Sequence, residues 1–209
     1  MSEARVDFVV TSGTFSLDGE THEVDNNVWI VGDDHEVVII DAAHDADEIL
    51  AAVDHRTVKA IICTHAHDDH INAAADLAHA TDALVMLHPA DEPLWRHVYP
   101  DDDFEPLYDG EVIEVAGTTL RILHTPGHAP GAVCVYAPDL DVLFSGDTLF
   151  RGGPGATGRS FSDFPTIVDS ITERLFELPP ETVVHTGHGD STTIGEEAPH
   201  LDEWLQRGH

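Results

Sequence analysis

The residues most able to do chemistry in this chain form one short run, Thr64-His65-Ala66-His67-Asp68-Asp69-His70. It sets three imidazoles and two carboxylates within six residues, directly after the apolar stretch Val58–Cys63. Imidazole and carboxylate are the donors that borderline and hard dications take. In an extended segment His65 and His67, two apart, point to the same side. Asp69 and His70 follow as the chain turns into the Ala-rich stretch Ile71–Ala80. One segment thus offers ligands in two directions, enough to begin two adjacent metal positions. Asp68 reads as a non-ligand.

Three further clusters sit where strands are expected to end: His128 in Thr125-Pro126-Gly127-His128, Asp147 in Ser145-Gly146-Asp147-Thr148, and His188 in Thr186-Gly187-His188-Gly189-Asp190. Each has a small residue beside it, which lets backbone turn sharply near a crowded centre. A lone His128 or His188 would ordinarily be structural. Four strand ends carrying His or Asp can instead meet on one edge of a sandwich.

The elements that must position them follow from periodicity. Val6–Val10, Asn27–Val31, Val37–Asp41, Val58–Cys63 and Leu84–Leu87 read as strands. Asp45–Asp54 reads as an amphipathic helix with Ile49, Leu50 and Val53 on one face, Ile71–Ala80 as a second helix, and Pro93–Val98 as a helical or irregular stretch. Glu111–Val115 and Thr118–Leu123 form a hairpin about Ala116-Gly117, and Ala132–Ala137 pairs with Val142–Ser145. Phe164–Glu177 is helical, with Asp163 as N-cap and Pro165 at the first position. Thr182–His185 is a last strand, and a short helix follows from Pro199. Strand meanders interrupted by helices at two places predict an αββα four-layer sandwich: two mixed β-sheets flanked by helices, α/β in class, forming one domain over residues 1–209.

Composition narrows the partners. The formal charge of −31 excludes a nucleic-acid backbone and disfavours anionic membrane. It fits a solvated, salt-suited surface or a host with acidic proteins. No apolar run approaches the roughly 20 residues of a membrane span. Met1-Ser2-Glu3-Ala4-Arg5 lacks the build of a signal peptide, so a cytoplasmic protein is expected. Cys63 and Cys134, both in apolar runs, read as reduced core thiols.

His65-Ala66-His67-Asp68-Asp69-His70, followed by His128, Asp147 and His188, resembles the His-x-His-x-Asp-His motif and distal His, Asp and His of the metallo-β-lactamase superfamily. The match runs from about Asn26 to His188, and Asp41 resembles that superfamily's first motif. The resemblance implies two divalent metal ions. His65, His67 and His128 would hold one, Asp69, His70 and His188 the other, and Asp147 would bridge them. Zn is the expected metal, with Fe or Mn fitting the same donors. Asp69 and Asp147 then also count as catalytic residues, and Asp41 orients a ligand instead of binding. His44 and His185, beside strand ends, are further candidates for that supporting role; His124 is not.

Thr125-Pro126-Gly127-His128-Ala129-Pro130-Gly131 and Ser145-Gly146-Asp147-Thr148-Leu149-Phe150 look like the glyoxalase II branch, hydrolases of S-acyl thiols. That branch carries a helical extension for glutathione, whereas 21 residues follow His188 here. The chain also resembles compact actinobacterial relatives that use mycothiol. The resemblance therefore implies a small-molecule acyl-thiol substrate, S-formyl- or S-lactoyl-mycothiol among the candidates, attacked by metal-bound hydroxide. A mononuclear-iron persulfide dioxygenase using His65, His128 and Asp147 is the alternative. A lactamase would need export, and a nuclease a basic surface. The loop from Arg151 to Ser160 brings Arg151 and Arg159 near the expected site as candidates for an anionic substrate group. Oligomeric state is not legible.

Overall fold

The computed structural model describes residues 3–208 apart from Asp18, and only the backbone of Leu17. Its first sheet contains β1 (Arg5–Leu17), β2 (Glu20–Gly32), β3 (Glu36–Ile40), β4 (Thr57–Ile62), β5 (Leu84–Leu87) and β6 (Glu105–Pro106), side by side in that order. β1 and β2 form a long antiparallel hairpin, and β3 to β6 run parallel. The second sheet contains β7 (Val112–Val115), β8 (Thr118–His124), β9 (Val133–Ala137) and β10 (Val142–Gly146). A small hairpin of β11 (Leu149–Phe150) and β12 (Gly153–Pro154) follows. Then β13 (Val183–Thr186) pairs parallel to β10, and β14 (Thr192–Thr193) closes that edge.

Period-two patterning explains the layers. In β3 all of Val37, Val38, Ile39 and Ile40 are buried, as a parallel strand covered on both faces requires. Val37 and Ile39 face helices α1 (Ala46–Val53), α2 (Asp68–Ile71), α3 (Ala74–Thr81) and α4 (Glu92–Val98) through Ile49, Val53, Ile71, Leu77 and Trp95. Val38 and Ile40 face the second sheet, meeting Ile122, Val135 and Phe144. On the far side Leu143 and Val184 pack on α5 (Phe164–Ser170), α6 (Ile194–Glu197) and α7 (Leu201–Arg207) through Ile167, Ile194 and Trp204. Three apolar layers separate four structural layers, the αββα sandwich that the pattern predicts. No helix among the described residues is long and apolar enough to cross a membrane.

Local differences from expectation have identifiable causes. The predicted helix Ile71–Ala80 begins earlier, at Asp68, and breaks at Asn72-Ala73. There the Ala73 amide donates to the Ala42 carbonyl at 2.9 Å and the Asn72 side chain accepts from the His44 amide, so tertiary partners replace the helical ones. α1 keeps its cap: Asp45 accepts from the Asp47 and Glu48 amides. Asp163 caps α5 as expected, but Phe164 precedes Pro165 at the first helical position, and the helix continues as one π turn over Ile171–Leu175. β1 is thirteen residues long, where Val6–Val10 suggested five, because its polar second half is carried by pairing with β2. Both cysteines are buried and free.

Candidate metal centre

Parallel strands deliver their carboxyl ends to one edge, and the donors gather there. β4 leads to His65 and His67, and the first turn of α2 carries Asp69 and His70. The loop after β8 carries His128, β10 ends next to Asp147, and β13 next to His188. Trp29 Nε1 donates to the Thr186 carbonyl at 3.0 Å and the Asn27 amide to the Gly187 carbonyl at 2.8 Å, tying the first sheet to the His188 turn of the second.

The seven donors converge as two groups. In the first, His67 Nδ1 lies 3.0 Å from both His65 Nε2 and His128 Nε2. Zinc bound tetrahedrally by nitrogen at its usual bond length sets its ligands ~3.3 Å apart. In the second, His70 Nε2 lies 3.2 Å from His188 Nε2, with Asp69 Oδ2 at 3.5 and 3.3 Å from those two nitrogens. Asp147 spans the groups: Oδ1 is 3.4 Å from His70 Nε2, and Oδ2 is 3.5 Å from both His128 Nε2 and His188 Nε2. His65-His67-His128, His65-His70-Asp147 and Asp69-His70-His188 each form a cluster that can hold a metal ion.

The outer hydrogen bonds test whether the donors fit a cation. His128 Nδ1 donates to the Ala156 carbonyl at 2.8 Å and His188 Nδ1 to the Asp25 carbonyl at 2.7 Å. His70 Nδ1 donates to Asp41 Oδ2 at 2.8 Å. Thr64 donates its hydroxyl to the same carboxylate at 2.9 Å and so accepts from His65 Nδ1 at 3.1 Å. In these four rings the outward nitrogen has an acceptor, which frees the inward nitrogen to offer its lone pair to a cation; His67 Nε2 is buried with no hydrogen-bond partner. His67 Nδ1 faces the inward nitrogens of both His65 and His128 at 3.0 Å and can donate to at most one of them, so a cation among the three satisfies what hydrogen bonding cannot. Asp147 Oδ1 is buried with no hydrogen-bond partner, a further acceptor aimed at that space. The residues fit divalent cations.

Charge points the same way. Burial, with the neighbouring imidazoles, pushes His65 far down and His67 to about 3, and burial lowers His128, so this half offers neutral nitrogens. In the other half burial works against the charged forms but is outweighed. His70 and His188 hold Asp69 down at about 2 and Asp147 well below the usual carboxylate range, while the carboxylates raise His70 and lift His188 to about 10. A pocket of anionic oxygens that draws positive charge this strongly suits a dication.

The remaining sequence candidates separate here. Asp41 binds Thr64 and His70 from a left-handed backbone position, φ 61°, on the outer side of the donor groups. Asp68 accepts from the Ser16 and Asp69 amides and belongs to neither group. His44 Nε2 donates to Asn26 Oδ1 at 2.9 Å, and Asn26 Nδ2 donates to Asp69 Oδ2 at 3.1 Å, so His44 reaches a donor through one intermediary. His185 stacks on Trp29, ring centroids 4.1 Å apart, and bonds Ser191, with no contact to the donors. A cavity of about 160 Å³ opens over the groups, lined by His67, Asp69, His128, Asp147 and His188 at its base and by Phe15, Val24, Ala156 and Arg159 above. Arg151 lies outside that lining, exposed and 3.5 Å from Asp190.

Sequence reasoning did not find Asp91. Fully buried, it accepts from the Ala66 amide at 2.9 Å through Oδ2 and from the Gly131 amide through Oδ1. It therefore clasps the His65-His67 turn to the loop that carries His128. Nothing in the spacing around Asp91 marks it, since both partners are more than twenty residues away. Asn26 was missed for the same reason.

Comparison with known proteins places this geometry. A family model described as "Metallo-beta-lactamase superfamily" matches residues 23–188. The chain is 30% identical over 186 residues to a protein of Haemophilus influenzae named hydroxyacylglutathione hydrolase GloC, covering 81% of this chain and 87% of that one. Among solved structures it resembles TTHA1623 in a di-iron-bound form, with TM-score 0.76, 35% identity, and 90% and 96% of the two chains covered. It also resembles BLEG-1 B3 metallo-beta-lactamase, with TM-score 0.77, 29% identity, and 91% and 98% covered.

Proposed function

The chain belongs to the metallo-beta-lactamase superfamily, and from that premise we propose that it is a binuclear metallo-hydrolase of thioesters of a low-molecular-weight thiol, glyoxalase II-like in chemistry. The observation that carries the reading is the pair of donor groups sharing Asp147 at the base of a small cavity. His65, His67 and His128 would hold one ion, Asp69, His70 and His188 the other, with Asp147 between them. Two divalent ions there, zinc on the donor chemistry or iron on the precedent of TTHA1623, would supply a water-derived nucleophile at neutral pH and polarise the acyl carbonyl.

The chain's own residues do the rest. Asp41 fixes the His70 ring through Nδ1 and, by way of Thr64, the His65 ring, so the donor atoms are set before substrate arrives. Phe15, Val24 and Ala156 give the cavity apolar walls that exclude bulk water from a bound acyl group. A departing thiolate is a stable anion, with thiol pKa about 8.5, so no proton donor is required at sulfur. The likeness to a protein named hydroxyacylglutathione hydrolase supports a thioester over other acyl compounds. S-acyl-mycothiol is one substrate of this class.

The test is metal content by mass spectrometry on protein purified without chelator, run beside S-formyl, S-lactoyl and S-acetyl conjugates of several thiols. About two ions per chain and acyl-thiol turnover without oxygen uptake are expected. Absence of turnover with every acyl thiol by metal-loaded protein overturns the reading. The alternative is a mononuclear-iron persulfide dioxygenase; TTHA1623 shows iron in a similar fold, but as a pair of ions, which favours a binuclear site. The dioxygenase predicts about one iron per chain and oxygen consumption on a thiol persulfide. Asp147→Asn is expected to abolish turnover with a smaller effect on folding.

A further inference from the structure

We propose that Asn72, His44 and Asn26 form a positioning chain that ends on Asp69 and selectively sets the affinity of the Asp69-His70-His188 group for its metal ion. This rests on the two-ion part of the reading above and adds what decides whether the centre holds one ion or two.

Donor and acceptor roles are fixed along the whole chain. The His44 backbone amide can only donate, so the Asn72 side-chain atom that takes it is the oxygen, Oδ1. The other Asn72 atom, Nδ2, can then only donate, and it lies 3.2 Å from His44 Nδ1. His44 Nδ1 therefore carries no proton. The ring's proton sits on Nε2, which donates to Asn26 Oδ1 at 2.9 Å. That orients the Asn26 amide, and its Nδ2 donates to Asp69 Oδ2 at 3.1 Å. Burial lowers the proton affinity of His44, although Asp69 pulls the other way, in keeping with a neutral ring. Each assignment follows from the one before it, starting at a backbone N–H that has one possible role.

Place makes the effect selective. Asn26 is fully buried on β2, where an unpaired amide group is costly. Turned over, the amide would set Oδ1 against the Asp69 carboxylate, acceptor against acceptor. Its Nδ2 also lies 3.4 Å from His70 Nε2, so it touches two of the three donors of the second group. Among the described residues, no hydrogen bond links Asn26 to His65, His67 or His128. His44 is itself held in place. Its backbone takes a left-handed φ of 63°, and its ring lies against Gly13 of β1, where even a Cβ would overlap it. The loop after β3, the end of α2 and β2 thus converge on one carboxylate, which is oriented before an ion arrives.

Stepwise zinc binding to metal-depleted protein, followed by calorimetry with chelator competition, tests the chain. Wild-type protein is expected to take two ions, and Asp69→Asn identifies the step that belongs to the second group. His44→Asn suits the left-handed backbone but is too short to reach Asn26. It should weaken that same step about 10- to 100-fold and leave the other unchanged. His44→Gln keeps a terminal NH₂ donor in the place of ring Nε2 and should retain most of the affinity. Asn26→Leu should weaken the step as well, and the double variant no further, because both act through one contact. Equal losses in His44→Asn and His44→Gln overturn the proposal, as do additive losses in the double variant. So does an unchanged second step in His44→Asn or Asn26→Leu, or a weakening of both steps alike, which would mark a general structural role. Wild-type protein that takes one ion overturns the binuclear reading and the chain's role with it. Two ions without thioester turnover overturn the hydrolase reading alone, since zinc affinity is measured without substrate.

Discussion

Replacing Asp91 by Ala isolates the clasp between the two loops that carry the three-histidine group. The carboxylate takes the Ala66 and Gly131 amides on separate oxygens, and all of these groups are buried. Ala supplies no acceptor, so two buried N–H groups lose their protein partner at about 1–3 kcal/mol each. The expected loss is about 4 kcal/mol, a large part of the 5–15 kcal/mol typical of a domain. Asp91→Asn keeps one carbonyl oxygen but turns an NH₂ toward the other amide, so it recovers at most half. Because Ala66 lies between His65 and His67, and Gly131 three residues beyond His128, metal affinity should fall as well, by about 10- to 100-fold, as for other groups that orient ligands. Urea unfolding of metal-depleted protein reads the first effect, and competition with a chromophoric chelator the second. A loss under about 1 kcal/mol with unchanged metal affinity would refute the reasoning, as would an Asn variant equal to wild type.

Three further outcomes follow from the geometry. Asp41→Asn removes the acceptor of His70 Nδ1–H and should weaken metal binding about 10- to 100-fold in the same chelator competition, with unchanged affinity counting against an orienting role. Gly187→Ala would set a methyl group 2.7 Å from His70 Cε1 and against Asp147 Oδ1, so loss of bound metal at near-native secondary structure is expected by mass spectrometry and circular dichroism. His185, half-buried and stacked on Trp29, is pushed down to about 4 from 6.5 by burial, so the fold favours its neutral form. Its stabilising effect is full above the unfolded value near 6.5 and is lost as pH falls toward 4, up to about 3 kcal/mol in all. His185→Phe keeps the stack and should lack that component in unfolding titrations, whereas parallel pH profiles would rule it out.

The run from His65 to His70, with His128, Asp147 and His188, is legible in the chain because ligand chemistry restricts residue type and strand ends restrict place. The layers are legible for a similar reason: the alternation of Val37 and Ile39 with Val38 and Ile40 dictates two buried faces. What the tertiary structure alone decided is everything that depends on partners distant in sequence. Asp91 and Asn26 carry no local signature, since their roles exist only once loops tens of residues apart are adjacent. The break at Asn72-Ala73 runs against local helical preference because Ala42 and His44 supply competing hydrogen bonds. Arg151 and Arg159 are alike on one glycine-rich loop, and the path of that loop sends one to Asp190 at the surface and the other over Phe15 at the cavity mouth. Residue type records which chemistry is possible, because donors and apolar faces are properties of side chains. Which of two similar side chains reaches the cavity is set by the backbone's course, to which contacts across the whole fold contribute.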